Sequence, residues 1–144
     1  MSASRRESIC NCLAIRQAAR QITQLYDAAL ASTGLRVTQY SVIAVLDRLG
    51  PSTLQELAAE LVMDRSTLGH NLRPLEREGL VVLATDPRDK RTRRLDLTPE
   101  GKKRLEQARR AWQRAQEQFE RRYGEAEAKE LRRLLLRAVE SAEP

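Results

Sequence analysis

Apolar residues recur at three- and four-residue steps along most of this chain, and the breaks in that rhythm divide it into elements. Ile9, Leu13, Ala18, Ile22, Leu25, Tyr26, Ala29 and Leu30 form one stripe, preceded by a capping box from Ser4 to Glu7. One long amphipathic helix is therefore predicted from Ser4 to about Ser32–Gly34, where Gly34 offers the positive φ that helix C-termini often use. A second helix follows, with Thr38 as its cap and Tyr40, Val42, Ile43, Val45, Leu46 and Leu49 on its apolar side, and the Gly50-Pro51 pair stops it. Thr53 and Glu56 make another capping box, which opens a short helix through Leu54, Leu57, Ala58 and Leu61. Asp64 then serves as a fresh N-cap for residues 65–78, with Leu68, Leu72 and Leu75 on one face and Gly79 at the end. Two short capped helices joined by a tight turn make a helix-turn-helix.

The rhythm then changes. Leu80 to Leu83 is a short β-prone run, and Arg93 to Leu97 alternates polar with apolar as a strand with one buried face does. Asp86-Pro87 starts the turn between them, which gives a β-hairpin, or wing, directly after the helix-turn-helix. Thr98-Pro99-Glu100 caps a further helix with proline in its first turn, where a missing N–H costs nothing. Leu105, Ala108, Trp112, Ala115, Phe119 and Tyr123 continue it to Gly124, after which Leu131, Leu134, Leu135 and Ala138 form a last helix. The predicted fold class is mainly α with a small β-hairpin wing: a winged helix-turn-helix flanked by long terminal helices.

Charge sharpens this picture through its location. The formal net charge is +6, and segment sums are +1 over residues 1–84, +6 over 85–122 and −1 over 123–144. Asp86 to Arg94 packs five cations and two anions into nine residues, which suits a polyanionic partner or else a solvated loop. The longest uncharged stretch, Val37 to Leu46, is ten residues, against the roughly 18 a spanning helix needs. No leader with a cleavage site follows Arg5 and Arg6 either, so a cytoplasmic protein without membrane association is expected. The only cysteines, Cys10 and Cys12, do not make a disulfide framework or a full zinc site. In a helix opened at Ser4 their side chains would point about 200° apart, so a redox or metal-responsive role needs the helix to begin later.

The helix opened by Asp64 has an unusual second face. Arg65, Ser66, Thr67, Gly69, His70, Asn71 and Arg73 are all small, polar or cationic, as suits base edges and phosphates. Arg73 is the leading candidate for a base or phosphate contact. His70 reads as a base reader, a metal ligand or a plain surface residue; no second metal ligand stands one turn away. Pro74 lies inside the predicted helix and removes the N–H that would bond to the His70 carbonyl, so it should kink the helix or end it early.

Leu75-Glu76-Arg77-Glu78-Gly79-Leu80-Val81, Asp86-Pro87-Arg88-Asp89-Lys90-Arg91 and Leu97-Thr98-Pro99-Glu100-Gly101 stand in the order and spacing of one family. In these motifs, and in the length and order of its elements, the chain resembles the multiple-antibiotic-resistance regulator (MarR) family of transcription factors. The resemblance implies a single domain over residues 1–144, with residues 1–34 and 99–144 as dimerisation helices and residues 35–98 as a DNA-binding lobe. It implies a homodimer on a palindromic double-stranded operator, acting as a repressor released by a small-molecule effector. Arg91 is similar to the family's wing-tip arginine and Asp89 to the carboxylate that orients it; Arg88, Lys90, Arg93 and Arg94 read as phosphate contacts or a solvated rim. Arg16, Tyr26 and Tyr40 are the residues to watch near an effector cleft. Thiol chemistry at Cys10 and Cys12 is the rival trigger, and a winged-helix module that docks RNA or protein is the rival function. No phosphate loop, paired catalytic carboxylates or nucleophile elbow is recognisable, so an enzyme is not expected, nor a cofactor or bound metal.

Overall fold

A computed structural model describes residues 5–144. The first helix, α1 (Asn11–Leu30), begins later than the sequence suggests. Ser4 lies outside the described residues, and Glu7 precedes the helix. Instead the Ser8 hydroxyl accepts from the Cys10 backbone N–H at 3.1 Å, a local bond that competes with helix formation. Cys10 is then the N-cap, its Sγ accepting from the Leu13 N–H at 3.5 Å. A short 3-10 turn, Ala31–Thr33, ends at Gly34 with φ of 75°.

The next helix, α2 (Val37–Leu49), starts one residue before Thr38, which is not its cap. The first amide, Val37 N–H, donates at 2.7 Å to the Asp27 carboxylate, which reaches across from α1. Gln39 accepts from the Arg36 N–H at 3.0 Å. The start of α2 thus combines a local bond with a tertiary one, and the latter ties α1 to the core. Gly50 ends α2 at φ 76°.

The helix-turn-helix forms as its caps dictate. Thr53 and Glu56 exchange the two bonds of a capping box, at 3.1 and 2.9 Å, to open α3 (Leu54–Glu60). In the turn Val62 has φ of 53°. Asp64 then accepts from the Thr67 N–H at 2.8 Å and opens α4 (Arg65–Arg77). Helix α4 does not end at Pro74; it runs three residues further. Leu68, Leu72 and Leu75 are buried on its inner side. With Leu30, Tyr40, Ile43, Leu46 and Leu57 they form the heart of one hydrophobic cluster.

Strands β1 (Val81–Asp86) and β2 (Asp89–Leu97) pair antiparallel, Val81 opposite Leu97 and Thr85 opposite Arg93. They run further toward the tip than their apolar alternation indicated. The register slips beyond Thr85, with Asp86 opposite Asp89, so residues 90–92 bulge. Ser52 bridges Leu95 through two backbone bonds of 3.0 and 2.7 Å, anchoring the hairpin beside α3.

Thr98 caps α5 (Pro99–Tyr123): its hydroxyl oxygen accepts from the Gly101 N–H at 3.0 Å and the hydroxyl donates to the Gly79 carbonyl at 2.5 Å. Any Cβ at Gly101 would collide with the Leu80 carbonyl, so the start of α5 abuts the base of the hairpin. Further along, α5 lies against α1 and then turns at Gly124 into α6 (Glu125–Ser141). Only Ala128 of α6 is buried, and Leu134, Leu135, Leu136 and Val139 are exposed, as are Leu13 and Ile15 of α1. Among the described residues no helix is long and apolar enough to cross a membrane.

Candidate nucleic-acid interface

At 100° per residue, the buried leucines of α4 turn Ser66, His70, Arg73 and Arg77 to the opposite side. All four are exposed. Arg65 is exposed at the first turn. Thr67 is exposed too, but its hydroxyl donates to Asp64 at 2.6 Å, so it serves the cap. That bond, with the Thr67 backbone N–H, holds the Asp64 carboxyl below its ordinary range. Asn71 is half-buried and its amide donates to the Met63 sulfur at 3.6 Å, which turns it toward the turn and away from the outward face. Gly69 has open space where a Cβ would stand. Arg77 is a residue the sequence reading missed. It shares an open groove of about 420 Å³ with His70, Arg73, Pro74 and Glu76. Its spacing of seven from His70 and four from Arg73 was the available signal, masked because it lies in the helix-exit motif.

In the wing, Arg88, Asp89, Lys90, Arg91 and Arg93 are all exposed. Among the described residues neither these four cations nor Arg65, Arg73 and Arg77 enter an ion pair. Asp89 does not meet the Arg91 guanidinium, contrary to the orienting role implied for it. It accepts instead from the Arg91 backbone N–H at 3.0 Å and the Thr92 hydroxyl at 3.1 Å, fixing the bulge from which Arg91 projects. Arg94 is neither a free phosphate contact nor rim. Its Nε donates to Asp86 at 2.6 Å, and its Nη1 to Glu56 at 3.1 Å and the Pro51 carbonyl at 3.4 Å. Asp86, buried in the hairpin, also accepts from the Arg88 N–H at 2.9 Å. The Arg94 hydrogen bond, followed by that of Arg88, holds the Asp86 carboxyl below its ordinary value.

Of the residues proposed for an effector cleft, Tyr26 and Tyr40 meet α5 one turn apart, at Gln116 and Trp112, and each has a packing task there. Tyr40 is core, 7% exposed and stacked on Trp112 with ring centroids 5.9 Å apart. The Tyr26 hydroxyl donates to Gln116 and so clasps α1 to α5; burial, then the nearby Glu120 charge, pushes its pKa up. Arg16 is exposed on α1, ten residues and roughly 15 Å up the axis from Tyr26. The groove between α1 and α5, about 520 Å³, is lined by Leu25, Ala28 and Ala29 of α1 and by Arg114, Glu117 and Arg121 of α5 among others. Cys10 and Cys12 are free and exposed, and Cys10 stands outside the helix, so the 200° separation of two helical thiols does not apply.

A model of the MarR family matches residues 33–92, which span the helix-turn-helix and most of the wing. The Bacillus subtilis HTH-type transcriptional regulator YkoM is 32% identical over 73 residues; the match covers 51% of this chain but only 47% of that relative. The whole fold is similar to that of the M. tuberculosis transcriptional regulator MosR in complex with DNA, at 34% identity and TM-score 0.78, covering 93% of this chain and 99% of that one. A probable transcriptional regulator from Pseudomonas aeruginosa is similar at 27% identity and TM-score 0.82, over 90% and 97% of the two chains.

Proposed function

The chain belongs to the MarR family of winged helix-turn-helix DNA-binding transcriptional regulators, and on that premise we propose that it grips a palindromic duplex operator as a homodimer and represses the adjacent genes. The observation that carries this is the outward face of α4, where Ser66, His70, Arg73 and Arg77 stand exposed. In this reading α4 enters the major groove, and the wing lays Arg91 toward the minor groove with Arg88, Lys90 and Arg93 on phosphates. The apolar residues left exposed on α1 and α6 support the second subunit, since single helices bury such stripes only against a partner. Repression follows sterically when an occupied operator overlaps a promoter. For release by an effector, the α1–α5 groove, where Arg114 and Arg121 stand with Glu117 and Gln118 beside apolar walls, is a candidate site for an amphipathic molecule with a polar head. Selection from a random duplex library with the purified protein tests the reading. The expected product is an inverted repeat with half-site centres about 10 base pairs apart. No enrichment, or preference for single strands, would instead favour a docking module.

A second trigger has its own support. Cys10, at the N-cap, and Cys12, in the first turn, are both exposed. With a two-electron oxidant such as peroxide, the two thiols would give up two protons and two electrons to form one S–S bond, the peroxide becoming water. Cys10 would then withdraw from the Leu13 N–H and loosen the start of α1. If a Cys10→Ser, Cys12→Ser protein releases duplex under peroxide as readily as the parent, the thiols are not the trigger.

A further inference from the structure

Arg94 lies on β2 eight residues from Asp86 and 38 from Glu56, yet it touches both carboxylates and the Pro51 carbonyl. Each partner has a second task. Asp86 closes the wing turn by accepting from the Arg88 N–H. Glu56 completes the capping box of α3 by accepting from the Thr53 N–H with the same oxygen, Oε2, that Arg94 reaches. Pro51 belongs to the loop that leads into α3. One guanidinium thus spans the turn of the hairpin and the entry to the helix-turn-helix. With one cation between two anions the cluster is net negative, so it has no charge to spare for a phosphate.

Resting on the DNA-binding reading above, we propose that Arg94 is a positioning residue: it sets the reach of the wing relative to α3 and α4, so that Arg91 and the recognition helix meet one duplex in register. Ser52 bridges Leu95 midway along the hairpin, while the Arg94 side chain reaches on to Asp86 at the turn and ties it to Glu56 of α3. Without that tie the turn and the bulged residues 90–92 can swing about the Ser52–Leu95 bridge, and a contact that depends on their position is lost even though its own side chain remains.

The test is a mutant cycle read by fluorescence anisotropy on the duplex that the parent protein selects, with Arg94→Gln, Arg91→Ala and the double variant. Each single change should weaken binding about tenfold, as loss of one placed groove or phosphate contact does, and the double variant should be only marginally worse than either. Amide exchange should rise across residues 88–93 in Arg94→Gln while staying unchanged in α4. Arg94→Lys, which keeps the charge but not the fork, should recover only part of the loss. If Arg94→Gln melts too low to assay, Glu56→Gln replaces it, because glutamine preserves the α3 cap and removes only the ion pair. Parent-like affinity in the Arg94 or Glu56 variant, losses that multiply in the double variant, or exchange that rises equally in α4 would each overturn the proposal. A parent protein that selects no duplex would instead sink the function reading itself, a result visible before any variant is made.

Discussion

Arg91 projects from a bulge whose backbone Asp89 holds, so its guanidinium is unpaired among the described residues and available to an external anion. Arg91→Ala should weaken binding to all duplexes alike and lower the slope of log affinity against log salt by about one. Arg73→Ala, on the outward face of α4, should cost roughly 1–3 kcal/mol on the preferred site and little on random duplex. Gly69 makes a sharper case. Glycine inside a helix costs about 1 kcal/mol relative to alanine, and a Cβ there meets nothing within the protein. Gly69→Ala should therefore raise the melting temperature. If DNA comes close at this position, the same change lowers affinity; equal affinity would place Gly69 off the interface.

The elements α3, α4 and α5 were legible because their caps are local: Thr53 with Glu56, Asp64 with Thr67, and Thr98 with Gly101 lie three residues apart. The start of α2 was not, because its N-cap is Arg36, not a usual capping residue, and its first amide is satisfied by Asp27 on another helix. Nor was the start of α1, where Ser8 bonds to the Cys10 N–H and the helix opens only at Asn11. Pro74 misled in the same way: removing one helical bond does not end a helix whose next residue, Leu75, is fully buried. Leu75→Ala should accordingly destabilise the chain by roughly 2–5 kcal/mol in urea unfolding. The wing brace adds a pH dependence. Asp86 is held below its ordinary value of 3.8 chiefly by the bond from Arg94, and Glu56 below 4.5 first by the Thr53 N–H and then by Arg94. A carboxylate whose folded pKa is depressed contributes stability above its unfolded pKa and loses it as pH falls through the folded one. The brace should be intact at neutral pH and weaken only in acid below those ordinary values. Unfolding midpoints that drop there, and drop less in Asp86→Asn, would agree.

At the scale of the whole molecule, the core fills the middle of the chain and leaves the two ends thinly covered. Leu136 is 59% exposed on α6, and Leu13 and Ile15 are exposed on α1. If a second subunit covers them, Leu136→Asp should convert a dimer to a monomer by light scattering and abolish tight duplex binding while the helix-turn-helix stays folded. The apolar stripes of both terminal helices were readable from the sequence; the separate tasks of Tyr26 and Tyr40 were not, since helical spacing does not reveal which tyrosine fills the core and which clasps a neighbour. The contact of Gly101 with Leu80 bears on how such an assembly would transmit change. With no room for even a methyl group at that joint, the first turn of α5 cannot tilt toward the hairpin without pushing on its root. If two subunits pair through their terminal helices, a change in their crossing angle has a mechanical path along α5 to the wing.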